Sequence, residues 1–193
     1  MLKQRVGLFF GSFNPIHNGH LILANYIIEF TDLNTLWFVV SPQNPLKEKK
    51  SLLEELHRFD MVEKAIGDDP RFRVSDIEFW MPKPSFTIDT LTRLSEKNPT
   101  IEFSVICGMD NLESIHKWKN YKILLDSYRF LVYPRKGFSG GEFANHPSVQ
   151  FVEAPEIEIS SSFIRRAVAS GKNLSYFMPP KAFEYMTQMH FYE

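Results

Sequence analysis

Residues 6–20 read VGLFFGSFNPIHNGH, and this stretch indicates the fold of the whole chain. Its first five residues are almost all apolar, as in a buried strand of a parallel sheet. A turn with two glycines and a proline comes next, and a helical pattern of Leu21, Ala24 and Ile28 follows it. A strand, a turn and a helix in this order predict the first unit of an α/β sheet, in which ligands bind beyond the carboxyl ends of the strands.

The rest of the chain continues this alternation of strand and helix patterns. Apolar runs at 36–40, 101–107 and 130–133 predict further strands, and amphipathic segments at 51–66, 87–97 and 160–170 predict helices. A last helix is expected to begin at Pro179-Pro180. In 51–66 the predicted buried stripe is Leu52, Leu56, Phe59, Val62 and Ile66, with Ser51 and Glu54 as a capping box.

These patterns predict an α/β fold, a Rossmann-like parallel sheet flanked by helices on both faces. The length of 193 residues fits a single domain over 1–193, with a small C-terminal helical part at 155–193 that carries ISSSFIR. Segment 134–150 holds three glycines and two prolines, so we expect a mobile loop there rather than a linker between domains.

The composition excludes several classes of protein. Apolar residues make up 44% of the chain and charged residues 23%, and the net charge is −1, which argues against a disordered chain or a duplex DNA-binding protein. The single cysteine, Cys107, excludes an internal disulfide. No apolar run approaches the roughly 18 residues that span a bilayer. We therefore expect a cytoplasmic protein with neither nucleic-acid nor membrane partners.

The turn after the first predicted strand carries two histidines, His17 and His20. Three residues apart, they share one face of the first helical turn, where free N–H groups favour an anion. Gly11 allows close approach of the backbone to a ligand. The spacing does not match the H-E-x-x-H of zinc helices, and neither the dinucleotide glycine signature nor the P-loop is present. A phosphate site is predicted; a structural turn with incidental histidines is the alternative.

Five segments together carry a specific resemblance. Segment 11–20 resembles the G-x-F-x-P-x-H-x-G-H signature of the HxGH nucleotidyltransferases, and SPQNPLK at 41–47, PSFTIDTL at 84–91, GMD at 108–110 and ISSSFIR at 159–165 follow in order. The chain is similar along nearly its whole length to the bacterial nicotinate-nucleotide adenylyltransferases. It departs from their pattern at Phe10, Asn14 and Ser162, where that family usually has Gly, Asp and Thr.

The resemblance implies transfer of the adenylyl group of ATP to nicotinate mononucleotide, with Mg²⁺ and without a covalent intermediate. It implies that His17 and His20 donate to the ATP phosphates, with His20 nearest the α-phosphate, and that Lys47 meets the leaving pyrophosphate. Further ATP contacts implied are Gly11, Ser12, Phe13, Ser161, Ser162 and Arg165. The mononucleotide contacts implied are Phe86, Thr87, Asp110, Trp118 and Arg135: Trp118 on the pyridine ring, Thr87 on the carboxylate, Asp110 on a ribose and Arg135 on the phosphate. The sequence does not indicate any protein ligand of the magnesium.

Ordinary structural roles remain open for several of these residues. Lys47 lies in a charge run, Thr87 suits a helix N-cap, and Trp118 suits plain packing. Asp110 with Glu113 would make a capping box. One alternative function is adenylyl transfer to nicotinamide mononucleotide or to phosphopantetheine. A second is that of an RNA-handling relative of the class I aminoacyl-tRNA synthetases, but their K-M-S-K-S signature is absent from the sequence. A third is that of a nucleotide-binding sensor without catalytic activity. The oligomeric state stays open, a homo-oligomer included.

Overall fold

The computed structural model describes residues 3–42 and 52–193. Its six strands are β1 Gln4–Gly11, β2 Thr35–Val40, β3 Phe72–Ser75, β4 Ile101–Gly108, β5 Arg129–Tyr133 and β6 Val149–Phe151. They form one sheet in the order β3-β2-β1-β4-β5-β6, and every neighbouring pair is parallel. The direction of winding therefore reverses between β1 and β4, which is where such sheets bind ligands.

Helices and short turns connect these strands. The helices are α1 Asn18–Phe30, α2 Glu55–Ile66, α3 Thr87–Lys97, α4 Met109–Glu113, α5 Tyr121–Ser127, α6 Ser161–Ala169 and α7 Pro180–Gln188. Single 3-10 turns lie at Ile77–Trp80, Ile115–Lys117 and Gly141–Phe143. In the part of the chain that the structure describes, no helix is both long enough and apolar enough to cross a membrane.

The sheet separates two apolar cores, because successive side chains of a strand point to opposite faces. Phe9 of β1 belongs to the core under α1, α2, α6 and α7. Val6 and Leu8 of the same strand belong to the core under α3, α4 and α5. The predicted Rossmann-like sheet with helices on both faces is confirmed. The domain bounds 1–193 and 155–193 stay a prediction.

All four strands predicted from apolar runs are confirmed, whereas β3 and β6 were not predicted. These two lie at the edges of the sheet and read FRVS and VQF, too short and too polar to show a buried-strand pattern. Since β6 takes up residues 149 and 150, the expected loop at 134–150 ends earlier than predicted. Glu113 also anchors that loop: its Oε1 accepts from the backbone N–H of Ser139 at 2.7 Å and of Gly140 at 3.1 Å.

The predicted stripe of α2 is wrong at Leu56, and its first member, Leu52, lies before the helix begins. Leu56 is 64% exposed, whereas Arg58, which the apolar pattern left out, is fully buried. Carbonyl oxygens of neighbouring loops surround its guanidinium and take the place of water. Ser51 lies outside the described residues, so its predicted capping box cannot be compared; the helix itself begins at Glu55.

Candidate active site

A cavity of about 670 Å³ opens at the carboxyl ends of β1, β4 and β5, at the reversal of the strand order. It is lined by the turn after β1, the start of α4, the loop after β5 and the segment that leads into α6. Ten of the predicted site residues line it: Gly11, Ser12, Phe13, His17, His20, Asp110, Arg135, Ser161, Ser162 and Arg165. The tertiary structure thus brings both ends of the chain to the predicted phosphate turn.

Two glycines shape this turn by making room for its own side chains. Phe13 adopts a positive φ of 42°, and its ring lies over Gly11, where a Cβ would come within 2.8 Å of the ring. A Cβ on Gly19 would lie 3.1 Å from the His17 ring and 3.2 Å from Ile157. At both glycines a larger residue would have to displace a neighbouring side chain, and the expected approach of a ligand to Gly11 stays a prediction.

The two histidines of the turn stack on each other. Their ring centroids are 3.7 Å apart and the planes are inclined by 24°. The backbone N–H of His17 donates to Nδ1 of His20 at 3.3 Å, which makes Nδ1 an acceptor and assigns the proton of a neutral His20 ring to Nε2. Burial, with a further contribution from the charge of Arg135, lowers the pKa of His17 to about 4. His17 is therefore uncharged at neutral pH, and its buried Nδ1 has no hydrogen-bond partner among the described residues.

We expect this buried histidine to make the fold sensitive to mild acid. The unfolded chain, with a histidine pKa of about 6.5, binds more protons than the folded protein between pH 6.5 and about 4, so stability falls as pH is lowered through that window. Urea unfolding at pH 7 and pH 4.5 measures the loss. The loss in His17→Gln should be smaller than in the wild type by about 2 kcal/mol.

The matched control for this measurement is His116→Gln, which alters an exposed histidine. Its loss of stability between the two pH values should equal that of the wild type. Equal losses in all three proteins would contradict the assignment of the acid sensitivity to His17.

The first turn of α6 is bonded directly to the turn after β1. Ser160 caps the helix, since its Oγ accepts from the backbone N–H of Phe163 at 3.2 Å. The Ser161 hydroxyl donates to the carbonyl oxygen of Pro15 at 2.9 Å, and Nη1 of Arg165 donates to that of Asn14 at 2.7 Å. The N-termini of α1 and α6 consequently open into the same cavity, as an anion site with two helix ends requires.

Asn14, one of the departures from the family pattern, ties the C-terminus to this turn. Its Oδ1 accepts from the Tyr192 hydroxyl at 2.6 Å and from the backbone N–H of Leu53 at 3.2 Å. Burial raises the pKa of Tyr192, which keeps the hydroxyl protonated and able to donate. Both bonds need only an acceptor oxygen, which an amide supplies as well as a carboxylate. Phe10, another departure, packs toward the core of Val6 and also lines the cavity.

Of the residues predicted for the mononucleotide, Arg135 and Asp110 line the cavity. The guanidinium of Arg135 lies 5.2 Å from the ring centroid of Tyr133, and its Nε is 3.7 Å from Oδ1 of Asp110. That carboxylate oxygen is buried and has no hydrogen-bond partner among the described residues. The capping box of Asp110 with Glu113 is not formed, because Glu113 binds the loop after β5 instead.

The other three residues predicted for the mononucleotide form a separate group. Phe86 precedes α3 and Thr87 begins it, so Thr87 is not the N-cap. Phe86 and Trp118 pack against the core under α3, and Lys119 lies 5.0 Å over the Phe86 ring. None of the three lines the cavity. Lys47 lies outside the described residues, so its predicted place is not compared.

Opposite charges balance around the cavity. Its described lining residues include the basic side chains Arg135, Lys136 and Arg165 and the acidic side chains Asp110, Glu156 and Glu158. Lys136 and Glu158 pair with each other, with Nζ 2.7 Å from Oε1. Since the described lining has no excess of positive charge, a polyphosphate there would depend on the two helix N-termini and on local arginines.

Sequence reasoning missed Arg58, which has no signal in the local pattern because arginine on an amphipathic helix is usually exposed. Its guanidinium donates to the carbonyl oxygens of Ser12 at 2.6 Å, Ser41 at 2.8 Å and Pro42 at 3.0 Å, and to that of Leu53 at 2.8 Å. Burial lowers its pKa to about 10, which still leaves it charged at neutral pH. The loop after β1 and the end of β2 are therefore held by one buried cation.

A parallel sheet with a nucleotide-sized cavity and two helix N-termini at its switch point defines a nucleotide-binding enzyme class. A family model described as cytidylyltransferase-like matches residues 8–167 of this chain. The chain therefore belongs to the cytidylyltransferase-like family.

Curated relatives narrow this family assignment. A protein of Flavobacterium johnsoniae is 47% identical over 192 residues, which cover 98% of this chain and 100% of the relative. One of Cytophaga hutchinsonii is 48% identical over 189 residues, with 98% of each chain covered. Both are named "Probable nicotinate-nucleotide adenylyltransferase". The resemblance found in the five sequence segments is confirmed.

A solved structure agrees with the fold. The Plasmodium falciparum nicotinic acid mononucleotide adenylyltransferase complexed with NaAD superposes with a TM-score of 0.83 at 21% identity, over 98% of this chain and 97% of that one. At this identity the likeness concerns the arrangement of the chain alone.

Proposed function

We propose that the protein transfers the adenylyl group of ATP to nicotinate mononucleotide, which forms deamido-NAD and pyrophosphate in the biosynthesis of NAD. The observation that carries the proposal is the convergence of the His17–His20 turn and the start of α6 in one cavity at the switch point of the sheet. Relatives that bear this activity in their names share about half of the residues over nearly the full chain, which supports the same assignment. An enzyme that consumes ATP and a mononucleotide would work in the cytoplasm.

The reaction needs no general base. A phosphate oxygen of the mononucleotide, ionised at neutral pH, attacks the α-phosphorus of ATP while the bond from that phosphorus to the bridging oxygen of the β-phosphate breaks. Catalysis then consists of in-line positioning and of stabilising negative charge on the transferred group and on the pyrophosphate. His17 is neutral, and the Nε2 proton assigned to a neutral His20 is suited to donate to that charge.

The remaining predicted contacts distribute over the two substrates. Arg165, with Ser161 and Ser162 at the start of α6, would hold the triphosphate, and Lys47 would meet the leaving pyrophosphate. Gly11, Ser12 and Phe13 form the turn against which ATP would lie.

On the mononucleotide side the contacts fall in two places. Arg135 would meet the phosphate and Asp110 a ribose, both at the cavity. Thr87, Phe86 and Trp118 would receive the pyridine ring and its carboxylate outside it. The substrate would therefore extend from the cavity toward the start of α3.

Magnesium fits this site as an ion carried by ATP. Among residues 3–42 and 52–193 no group of three potential ligands of the His, Cys, Asp or Glu type is present. Magnesium commonly binds substrate phosphates with only one or two protein carboxylates. The lining carboxylate Asp110 is paired with Arg135, with Oδ1 3.7 Å from Nε, and its proposed contact is a ribose, so the phosphates would hold the ion. When bound, the ion would offset the charge of the phosphate oxygens.

Release of pyrophosphate tests the proposal directly. The protein is incubated with ATP and Mg²⁺ and with either nicotinate mononucleotide or nicotinamide mononucleotide, and phosphopantetheine serves as a third acceptor. We expect release with nicotinate mononucleotide well above that with the others, because a site that hydrogen-bonds a carboxylate rejects analogues without it. No release with any acceptor would indicate a nucleotide-binding sensor, and faster release with the amide would overturn the assigned substrate.

A further inference from the structure

A second buried ionisable side chain, that of Glu78, lies beneath the start of α3. Its side chain belongs to the turn Ile77–Trp80 and is only 2% exposed. Oε2 accepts from the Ser85 hydroxyl at 2.9 Å and Oε1 from the Thr90 hydroxyl at 2.8 Å. Glu78 thus holds both ends of the PSFTIDTL segment, which the proposed function assigns to the mononucleotide.

Ser41, the residue after β2, connects Glu78 to the phosphate turn. Its side chain lies close enough to the Glu78 carboxylate to oppose the rise in the pKa of that group. Its backbone N–H donates to the carbonyl oxygen of Gly11 at 2.9 Å, and its own carbonyl oxygen accepts from Arg58 at 2.8 Å. Arg58 also binds the carbonyl oxygen of Ser12. Polar contacts of Arg58, Ser41 and Glu78 therefore connect the turn after β1 with the start of α3.

Neither Arg58 nor Glu78 lines the cavity. Burial raises the pKa of Glu78, and the hydroxyls of Thr90, Ser85 and Ser41 oppose that shift. Buried ionisable side chains that bind only neutral groups are a costly way to stabilise a core, since apolar side chains of similar volume do so as well or better. What these contacts supply is geometry: those of Arg58 end on the loops after β1 and β2, and those of Glu78 end on the segment that begins α3.

We infer that Arg58 and Glu78 are positioning residues, which act through Ser41 to hold the ATP half and the mononucleotide half of the site in register. This inference rests on the proposed function. The reaction requires the attacking oxygen of one substrate to lie in line with the phosphorus of the other, and a misplacement of about 1 Å can cost on the order of 10²-fold in rate. Neither residue lines the cavity, so we expect the binding of one substrate alone to need neither of them.

Glu78→Gln tests this separation of binding from alignment. The amide keeps the shape of the side chain but replaces one acceptor oxygen with a donor, so one hydroxyl must turn. We expect kcat to fall by about 10- to 100-fold, while the Kd values for ATP and for nicotinate mononucleotide, each measured alone by calorimetry, change less than about threefold. The Kd for deamido-NAD, which spans both halves, should rise by about tenfold or more.

Two further variants complete the design. Ser41→Ala removes the side-chain contact with Glu78 and keeps both backbone bonds of Ser41. It should therefore show a smaller fall in kcat and in deamido-NAD affinity, again with little change in the Kd of either substrate. It replaces Glu78→Gln if that variant does not fold. Glu96→Gln, an exposed glutamate on α3, is the control and should match the wild type.

The outcomes separate the inference from the function on which it rests. If Glu78→Gln and Ser41→Ala fold and both have the kcat and the deamido-NAD affinity of the control, the inference is overturned. The proposed function still stands in that case, because the wild type turns over. Loss of mononucleotide affinity in proportion to kcat would overturn it too, because Glu78 would then build one half-site only. A wild type that releases no pyrophosphate with either mononucleotide contradicts the proposed function itself.

Discussion

His20→Asn is expected to lower kcat by about 10²- to 10³-fold with little change in melting temperature. The Oδ1 of asparagine can replace Nδ1 of His20 as the acceptor for the backbone N–H of His17, so the start of α1 keeps its hydrogen bond. What the variant lacks is the Nε2–H that the proposed function aims at the α-phosphate. The measurement is steady-state pyrophosphate release at saturating ATP and mononucleotide, with thermal unfolding of the same preparations.

Two comparisons make the result specific. His20→Ala removes the acceptor as well, so it should lose similar activity and more stability than His20→Asn, because the backbone N–H of His17 is left without its partner. His116→Asn, at an exposed histidine, should behave as the wild type. Full activity in His20→Asn would remove His20 from the proposed mechanism, and an unfolded His20→Asn would make its role structural.

Arg58→Met is expected to lower the free energy of unfolding by about 3–5 kcal/mol, the largest stability effect that we expect of a single substitution in this protein. Methionine fills much of the volume, but the carbonyl oxygens of Ser12, Ser41 and Pro42 lose their donor in a buried place. A buried acceptor left without a donor costs about 1–3 kcal/mol.

Urea unfolding at neutral pH measures this loss. Arg58→Lys keeps a charge but has one nitrogen for the four carbonyl groups, so an intermediate loss is expected, and it remains measurable if the methionine variant does not fold. Arg166→Met, at an exposed arginine of α6, is the matched control and should change stability by no more than about 0.5 kcal/mol. A loss below about 1 kcal/mol in Arg58→Met would show that water or a shifted loop satisfies the carbonyl groups.

The buried strands could be predicted from the sequence because burial on both faces requires an uninterrupted apolar run, as at 101–107. The helix Thr87–Lys97 was predicted with its observed ends, since its apolar spacing and the following proline both mark it. The edge strands β3 and β6 were not predicted, because a half-covered strand of three or four residues has too few apolar positions to form a pattern. Local patterns therefore predicted the centre of the fold and missed its margins.

The candidate site divides in the same way. The spacing of His17 and His20 is a local property, and so is their place at the N-terminus of a helix. That Ser161 and Arg165 bind the carbonyl groups of Pro15 and Asn14 depends on contacts about 150 residues apart in the chain, which no window of sequence contains. The split of the predicted mononucleotide residues into two groups likewise depends on how α3 and α4 pack.

By itself, the sequence determined the four central strands, the turn that carries His17 and His20, and the family, because each of these is written in consecutive residues. Only the tertiary structure decided that Arg58 and Glu78 are buried and that Ser41 lies between them. The physical reason is that a charge is buried only where distant segments supply its hydrogen-bond partners, and those partners exist only once the chain has folded.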